Sequence, residues 1–398
     1  MTTTDVARAD DAELLERREA AIDEAGWGTR FHLFQPRNPC LWVYVLLVLM
    51  GAHQLFQLAA PTAVVFKDAN LAAIGSAGFF CLVFLLFLHR FDWFERTPAL
   101  LAAAAFIGGG VGAAWVMALP GNSALMDLYT KAFGQAWASD WKAGFTAPLV
   151  EESAKGIVFV LMLGLAPRVI NTVYDGLIVG AYVGLGFQVL EDMLYGQNAA
   201  QLSFGSDQVG SVLHTFVIRS ASGVSSHAMY TAIVCAGIIY IVGTPAQPRK
   251  VGRGLLLILA VVLIHGSWDS MLALGGESGV VVWLLMLGIT IFSVVVLFAA
   301  LRWGGHRERR WMRDVLAPEV ANGTITELEL TALAGESSRR RRDRKTAVKG
   351  RADDLSKHRE KRILAATRDL AHDLSNGHGQ ETPAVEHARA EIARMRTS

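Results

Sequence analysis

Apolar residues fall in blocks along this chain. Eight long apolar stretches, at about 41–63, 71–88, 98–119, 144–165, 173–194, 222–242, 254–275 and 279–301, alternate with short polar turns. Each approaches the ~20 mostly apolar residues that a helix needs to cross a bilayer. The pattern predicts an all-α, polytopic integral membrane protein of about eight spans. A polar N-terminal segment, 1–40, precedes a membrane domain, 41–301, and a charged tail, 302–398, follows it, partly helical or disordered. Gly108, Gly109, Gly110 and Gly112 in the third stretch permit close packing or a bend. Gly176, Gly180 and Gly184 in the fifth form an i,i+4 stripe along which another helix can approach the backbone. Segment 209–221 reads either as a re-entrant piece or as an extension of the sixth helix.

The fourth stretch breaks its own pattern. It reads GFTAPLVEESAKGIVFVLMLGL, with Glu151, Glu152 and Lys155 inside it. One charge near the bilayer centre costs ~2.5–3.5 kcal/mol on insertion scales, so intramembrane acids are functional candidates by default. Glu151 and Lys155 are spaced i,i+4 and Glu152 and Lys155 i,i+3, so both carboxylates can reach the ammonium from one helix face. An ion pair that only fixes packing accounts for one Glu and one Lys. It leaves the second acid unexplained.

Basic residues at the segment ends set the orientation. Arg30, Arg37, Arg90, Arg96, Arg168, Arg249, Lys250, Arg253, Arg302, Arg307, Arg309, Arg310 and Arg313 fall on one side, and Lys67, Lys131, Lys142 and Arg219 on the other. Thirteen against four places both termini in the cytoplasm of a multi-pass plasma-membrane protein. Glu151 and Glu152 then lie ~10–12 Å below the outer face at ~1.5 Å per residue. Glu191 and Asp192 fall near the outer end of the fifth span, His227 about a turn and a half into the sixth, and His265 and Asp269 within ~9–15 Å of the outer end of the seventh. Four sequence-distant helices therefore bring acids and histidines to the outer half of the membrane, and nothing comparable marks the inner half. Each residue alone has a plainer role: His227 as a helix–helix contact, Asp269 as a partner orienting the His265 ring, Glu191 and Asp192 as interfacial groups.

Composition adds little beyond this. The chain is 52% hydrophobic and 18% charged over 398 residues, with a net charge of +1 that points to no partner. Cys40, Cys81 and Cys235 show no metal or redox spacing and read as small core residues. No cleavable leader is expected, so the first span serves as its own signal. The tail carries SRRRRDRK at Ser338–Lys345 and a capping-box spacing at Thr326 and Glu329. The basic run suits a solvated surface or anionic lipid, and no nucleic-acid partner is expected.

A cluster of carboxylates and imidazoles has the parts for peptide hydrolysis: a general base, with groups that polarise a carbonyl or hold a metal. No Gly-x-Ser-x-Gly or Ser-Lys arrangement accompanies Ser153, Ser225 or Ser226, and His-Glu-x-x-His is missing. A proton-coupled transporter would also embed acids and histidines, but would line the membrane through its whole depth. A non-catalytic scaffold is the third reading.

Four motifs in order, Glu151-Glu152-x-x-Lys155, Gly186-Phe187-x-x-x-Glu191-Asp192, His227-Ala-x-x-Thr231 and His265-x-x-x-Asp269, resemble the series of the PrsW family of intramembrane proteases. That family is distantly related to the CAAX prenyl endopeptidases and bacteriocin-processing proteases. The resemblance covers about residues 40–300 and implies cleavage of a membrane-anchored anti-sigma factor on the extracytoplasmic side, releasing a stress-response sigma factor. The CAAX-type relatives carry His where this chain has Glu191, and more often His-x-x-x-Asn at the last motif. The expected site is therefore Glu151, Glu152, Lys155, Glu191, His227, His265 and Asp269. Glu152 is the expected base on water, with Glu151 sharing its proton and Lys155 balancing charge. His227 and His265 stabilise the oxyanion, or with Glu152 hold Zn²⁺, and Asp269 orients His265. The expected partner is a single-span membrane protein. Reporter fusions at residue 398 and near Asn122 should report opposite sides of the membrane. An extracytoplasmic signal from the C-terminal fusion would reverse the orientation.

Overall fold

The computed structural model describes residues 3–222, 226–349 and 354–397, and these form helices and turns, with no strand among the described residues. In chain order the first helices are α1 (Thr3–Ala25), α2 (Pro39–Ala59), α3 (Lys67–Phe91) and α4 (Ala99–Ile107). The last runs on as a π-helix, Gly108–Ala118, into α5 (Leu119–Phe133). Then come α6 (Gln135–Leu165), α7 (Val173–Leu202), α8 (Gln208–Ser222), α9 (His227–Val242), α10 (Val251–Asp269), α11 (Met271–Gly275) and α12 (Gly279–Ala321). The remainder is α13 (Glu327–Ala334), α14 (Ser337–Lys349), α15 (Asp354–Asn376) and α16 (Pro383–Thr397).

The chain divides into two compact units, one of Phe31–Asp92 and Thr97–Leu301, the other of Met1–Arg30, Trp93–Arg96 and Arg302–Ser398. In the first, six helical segments are long and apolar enough to cross a membrane, counting α12, whose apolar half begins at Gly279: Pro39–Thr62, Lys67–Phe91, Ala99–Phe133, Val173–Leu202, Val251–Asp269 and Gly279–Ala321. The expected fourth and sixth segments are also helices: α6, which carries its three charged residues, and α9, apolar but 16 residues long. The ambiguous segment 209–221 is a helix of its own, α8. The expected outer loop after residue 119 is instead helical, as α5 and the start of α6.

Helix α7 is the axis of the membrane unit, buried along most of its length and packed by α3, α4, the π-helix, α8 and α9. Its start is set locally. Thr172 accepts from the Asp175 backbone N–H at 3.1 Å while the Asp175 carboxylate accepts from the Thr172 N–H at 2.8 Å, so two of the helix's orphan donors are satisfied. Nearer its middle, Gly184 faces the start of α9, where a Cβ would stand 2.2 Å from the His227 carbonyl oxygen. A second close approach joins α6 to α10: a Cβ on Gly144 would stand 2.5 Å from the Gly266 oxygen, and one on Gly266 2.7 Å from the Gly144 oxygen. Small residues at helix crossings let backbones meet in a bilayer, where no hydrophobic effect drives helices together. These two crossings carry His227 and His265 inward. The outer faces of α2, α3, α10 and α12 present Leu46, Phe79, Leu259 and Leu287, all exposed, as a lipid-facing helix must.

The second unit has a core of its own. Ile363, Ala366, Leu370 and Leu374 of α15 and Val385, Ala388, Ile392 and Met395 of α16 are buried, at the 3–4-residue spacing that makes one apolar stripe per helix, and Ile22, Trp27 and Leu316 are buried with them. Glu319 is fully buried and accepts from Arg18 Nη2 at 2.6 Å and Arg389 Nε at 2.8 Å. The Thr326–Glu329 capping box is formed at the start of α13. The charged tail is thus helical in its described residues and holds buried apolar side chains.

The Gly184 crossing is testable. Gly184→Ala should destabilise the membrane unit by about 1–3 kcal/mol through overpacking and lower cleavage in parallel. Gly75→Ala, where a Cβ meets nothing within 4 Å, should be neutral or stabilising in the same melting assay.

Candidate active site

The site is built outward from α6. Pro148 lies inside that helix, one turn before the two glutamates. Lys155 is wholly buried, so its ammonium depends on protein partners. Its Nζ donates to Glu152 Oε1 at 2.6 Å and to His227 Nδ1 at 2.9 Å, lies 3.6 Å from Glu151 Oε2, and sits 4.2 Å from the centre of the Phe187 ring. Glu152 is closed off further, since its Oε2 accepts from Thr231 Oγ1 at 3.1 Å. Glu151 is held on one oxygen only: Oε1 accepts from Asn122 Nδ2 at 2.9 Å, while Oε2 is buried with no hydrogen-bond partner.

Helices α7, α9 and α10 close the cluster. An ammonium has protons to give and no lone pair, so His227 Nδ1 against Lys155 must accept. The ring proton is then on Nε2, which donates to Glu191 Oε2 at 2.9 Å. Glu191 in turn accepts from Arg219 Nη2 at 2.7 Å, and the same guanidinium bonds Asp192 and lies 4.0 Å from the Tyr195 ring centre. His265 Nε2 is 3.4 Å from Asp269 Oδ2 and 3.8 Å from Glu151 Oε2, and its Nδ1 is 3.3 Å from Glu152 Oε1 without the alignment of a hydrogen bond. The two imidazole rings are 5.2 Å apart, nearly perpendicular. All the residues expected from the sequence thus meet in one cluster.

A cavity of about 460 Å³ opens on this cluster. Glu151, Glu191, His227, His265 and Asp269 line it, with Asn122, Tyr195 and Arg219 among their neighbours, whereas Glu152 and Lys155 stand behind its wall. The two adjacent glutamates therefore have different surroundings. Ser226 also lines the cavity, Ser153 points outward into the exposed face of α6, and Ser225 lies outside the described residues.

One donor set fits a metal ion. Glu151, His227 and His265 each offer one ligand atom, all within 4.8 Å of one another. Two imidazoles and a carboxylate beside an open cavity match the three protein ligands plus one open position of catalytic zinc sites, and Glu151 Oε2 makes no hydrogen bond that a metal would have to displace. The sequence reading put Glu152 in this set. The structure groups Glu151 with the two histidines instead, because Lys155 and Thr231 already hold both oxygens of Glu152.

Three contributors were not singled out from the sequence. Asn122 reads as an outer-loop residue and lies on α5. Arg219 entered only the count of basic residues, though an arginine beside an apolar run was a signal that a buried acid needed it. Tyr230, 5.1 Å from His265 ring to ring, sits in an apolar run with no polar signal at all.

Residues 97–301 match the family described as PrsW family intramembrane metalloprotease. The chain is 27% identical over 253 residues to the "Protease PrsW" of Bacillus subtilis (strain 168), an overlap covering 62% of this chain and 99% of that protein. No solved structure matches it. The matched stretch contains every residue of the cluster, on all four helices that build it, and the chain belongs to the PrsW family of intramembrane proteases, a multi-pass membrane peptidase.

Proposed function

We infer that this chain is an endopeptidase that cuts a single-span membrane protein, anti-sigma-factor-like, near the extracytoplasmic face, with Glu151 as its general base. One observation carries the assignment: Glu151 lines the cavity, and its Oε2 is buried without a hydrogen-bond partner. This reading departs from the sequence-based preference for Glu152, because Glu152 does not line the cavity and each of its oxygens already accepts a hydrogen bond, from Lys155 and from Thr231. In this reading Glu151 takes a proton from water as the water oxygen bonds to the scissile carbonyl carbon. His265, which lines the cavity, donates an N–H to the developing oxyanion. Glu151 then returns its proton to the leaving nitrogen as the C–N bond breaks. Glu191 holds His227 as the Nε2–H tautomer, and Asp269 orients His265.

A metal-dependent version is the second reading, favoured by the Glu151, His227 and His265 donor set and by the description of the matched family. A zinc ion held by those three residues would supply Lewis-acid activation of water. Lys155 would then have to leave His227 Nδ1 if that nitrogen is the ligand, and keep Glu152. Both readings assign the protease to residues 41–301, with 1–40 and 302–398 as cytoplasmic segments. The basic stretch of α14 then faces anionic lipid.

Glu151→Gln should lower cleavage by about 10²–10⁴-fold, the usual worth of a general base, with folding unchanged. Glu152→Gln removes the closest partner of a buried ammonium, so it should lower the melting temperature and yield first. Cleavage of co-expressed single-span proteins, normalised to folded enzyme, checks both. Near wild-type cleavage by Glu151→Gln would sink the assignment. Metal analysis separates the readings: about one zinc per chain, lost in the His227→Ala, His265→Ala double variant, supports the metal, and full activity of metal-free protein supports the glutamate.

A further inference from the structure

Trp115 belongs to none of the motifs above. It lies in the π-helix, is 4% exposed, and its indole Nε1–H has no hydrogen-bond partner. Two buried acceptors share that condition, Asn122 Oδ1 and Glu151 Oε2. All three residues line one recess of about 60 Å³. Asn122, Glu151 and Glu191 also line the main cavity, so the recess opens beside the proposed base.

A buried polar group left unpaired costs about 1–3 kcal/mol, and native proteins rarely leave three in one place. The carboxylate Oε1 of Glu151 can only accept, so the Asn122 amide nitrogen must face it, and Asn122 Oδ1 is left as an acceptor. The residues lining the recess thus carry one donor and two acceptors that have no hydrogen-bond partner. A substrate carbonyl does not suit it, because two of the three groups would repel it. Water suits it: one lone pair takes the indole N–H, and its two protons go to Asn122 and Glu151. A buried water needs only ~10–15 Å³ and about three such partners.

The backbone points the same way. π-helical winding is rare and concentrates at functional sites. Here the sequence Gly108-Gly109-Gly110 permits it to press on α7, where a Cβ on Gly109 would stand 2.0 Å from the Val183 oxygen. Trp115 lies two turns further along this stretch, at the recess.

Building on the reading of Glu151 as base, we propose that this recess is the binding site of the hydrolytic water, held by Trp115 Nε1–H and Asn122 Oδ1 against Glu151 Oε2. The second lone pair of that water is left to attack the carbonyl carbon in the main cavity while its proton passes to Glu151.

The test uses full-length enzyme and a single-span substrate whose cleavage by the wild type is first established in the co-expression assay above, carried into a quenched fluorescent form. Trp115→Phe removes the N–H and keeps an aromatic ring. Replacing Trp115 by 3-benzothienylalanine keeps the bicycle and puts sulfur in place of N–H, so it decides the matter if the phenylalanine variant melts early. The expected result is a kcat lower by ~10-fold or more with KM within about 2-fold and an unchanged melting temperature. Wild-type kcat in the benzothienyl variant, with Glu151→Gln inactive, would overturn the water site and leave the base in place. An active Glu151→Gln would overturn the base itself. A kcat loss that only tracks the folded fraction in both Trp115 variants would make Trp115 a packing residue and also reject the proposal.

Discussion

The Lys155 ammonium is the constraint on which the site depends. A cation with no solvent exposure survives in an apolar bundle only if its partners are close and well aligned. Glu152 at 2.6 Å supplies the counter-charge, His227 Nδ1 at 2.9 Å takes a second proton, and the Phe187 face covers a third side. Each of these has a consequence for chemistry. Glu152 is committed to the ion pair, which leaves Glu151 as the acid turned to the cavity. His227 is forced into one tautomer, which aims its N–H at Glu191. Glu191 then needs the Arg219 guanidinium, and α8 brings it. One buried charge thus orders residues from four helices.

Packing makes that order possible. Two imidazoles from different helices reach within 5.2 Å of each other because the helices that carry them sit unusually close to their neighbours. Gly184 admits the start of α9, and Gly144 with Gly266 admits the end of α10. The histidines stand at or beside these contacts in sequence, so the crossing points and the histidine cluster nearly coincide. Towards lipid the same helices present leucine and phenylalanine. The protein therefore keeps a polar cavity of about 460 Å³ inside a surface suited to hydrocarbon. The second unit solves the burial of charge in the same way, with Glu319 held between Arg18 and Arg389.

The sequence by itself determined the class and the cast. Apolar stretches of membrane-spanning length define the bundle, because the cost of exposed backbone in lipid leaves helices as the solution for such a chain. Charged groups inside those stretches are costly enough to stand out, so Glu151, Glu152, Lys155, His227, His265 and Asp269 could be gathered as one candidate cluster from charge placement and span orientation, the structure brings them together, and their motif order carried the family. Roles were not legible. Two adjacent glutamates are equivalent in a string, and only the tertiary contacts of Lys155 and Thr231 separate them. Asn122 and Trp115 were invisible for the related reason that a loop-like amide and an apolar indole become functional only through what faces them. Periodicity reports which residues share a face. Which lone pair or proton is left unpartnered on that face depends on neighbours many residues away, and the folded chain alone decides it.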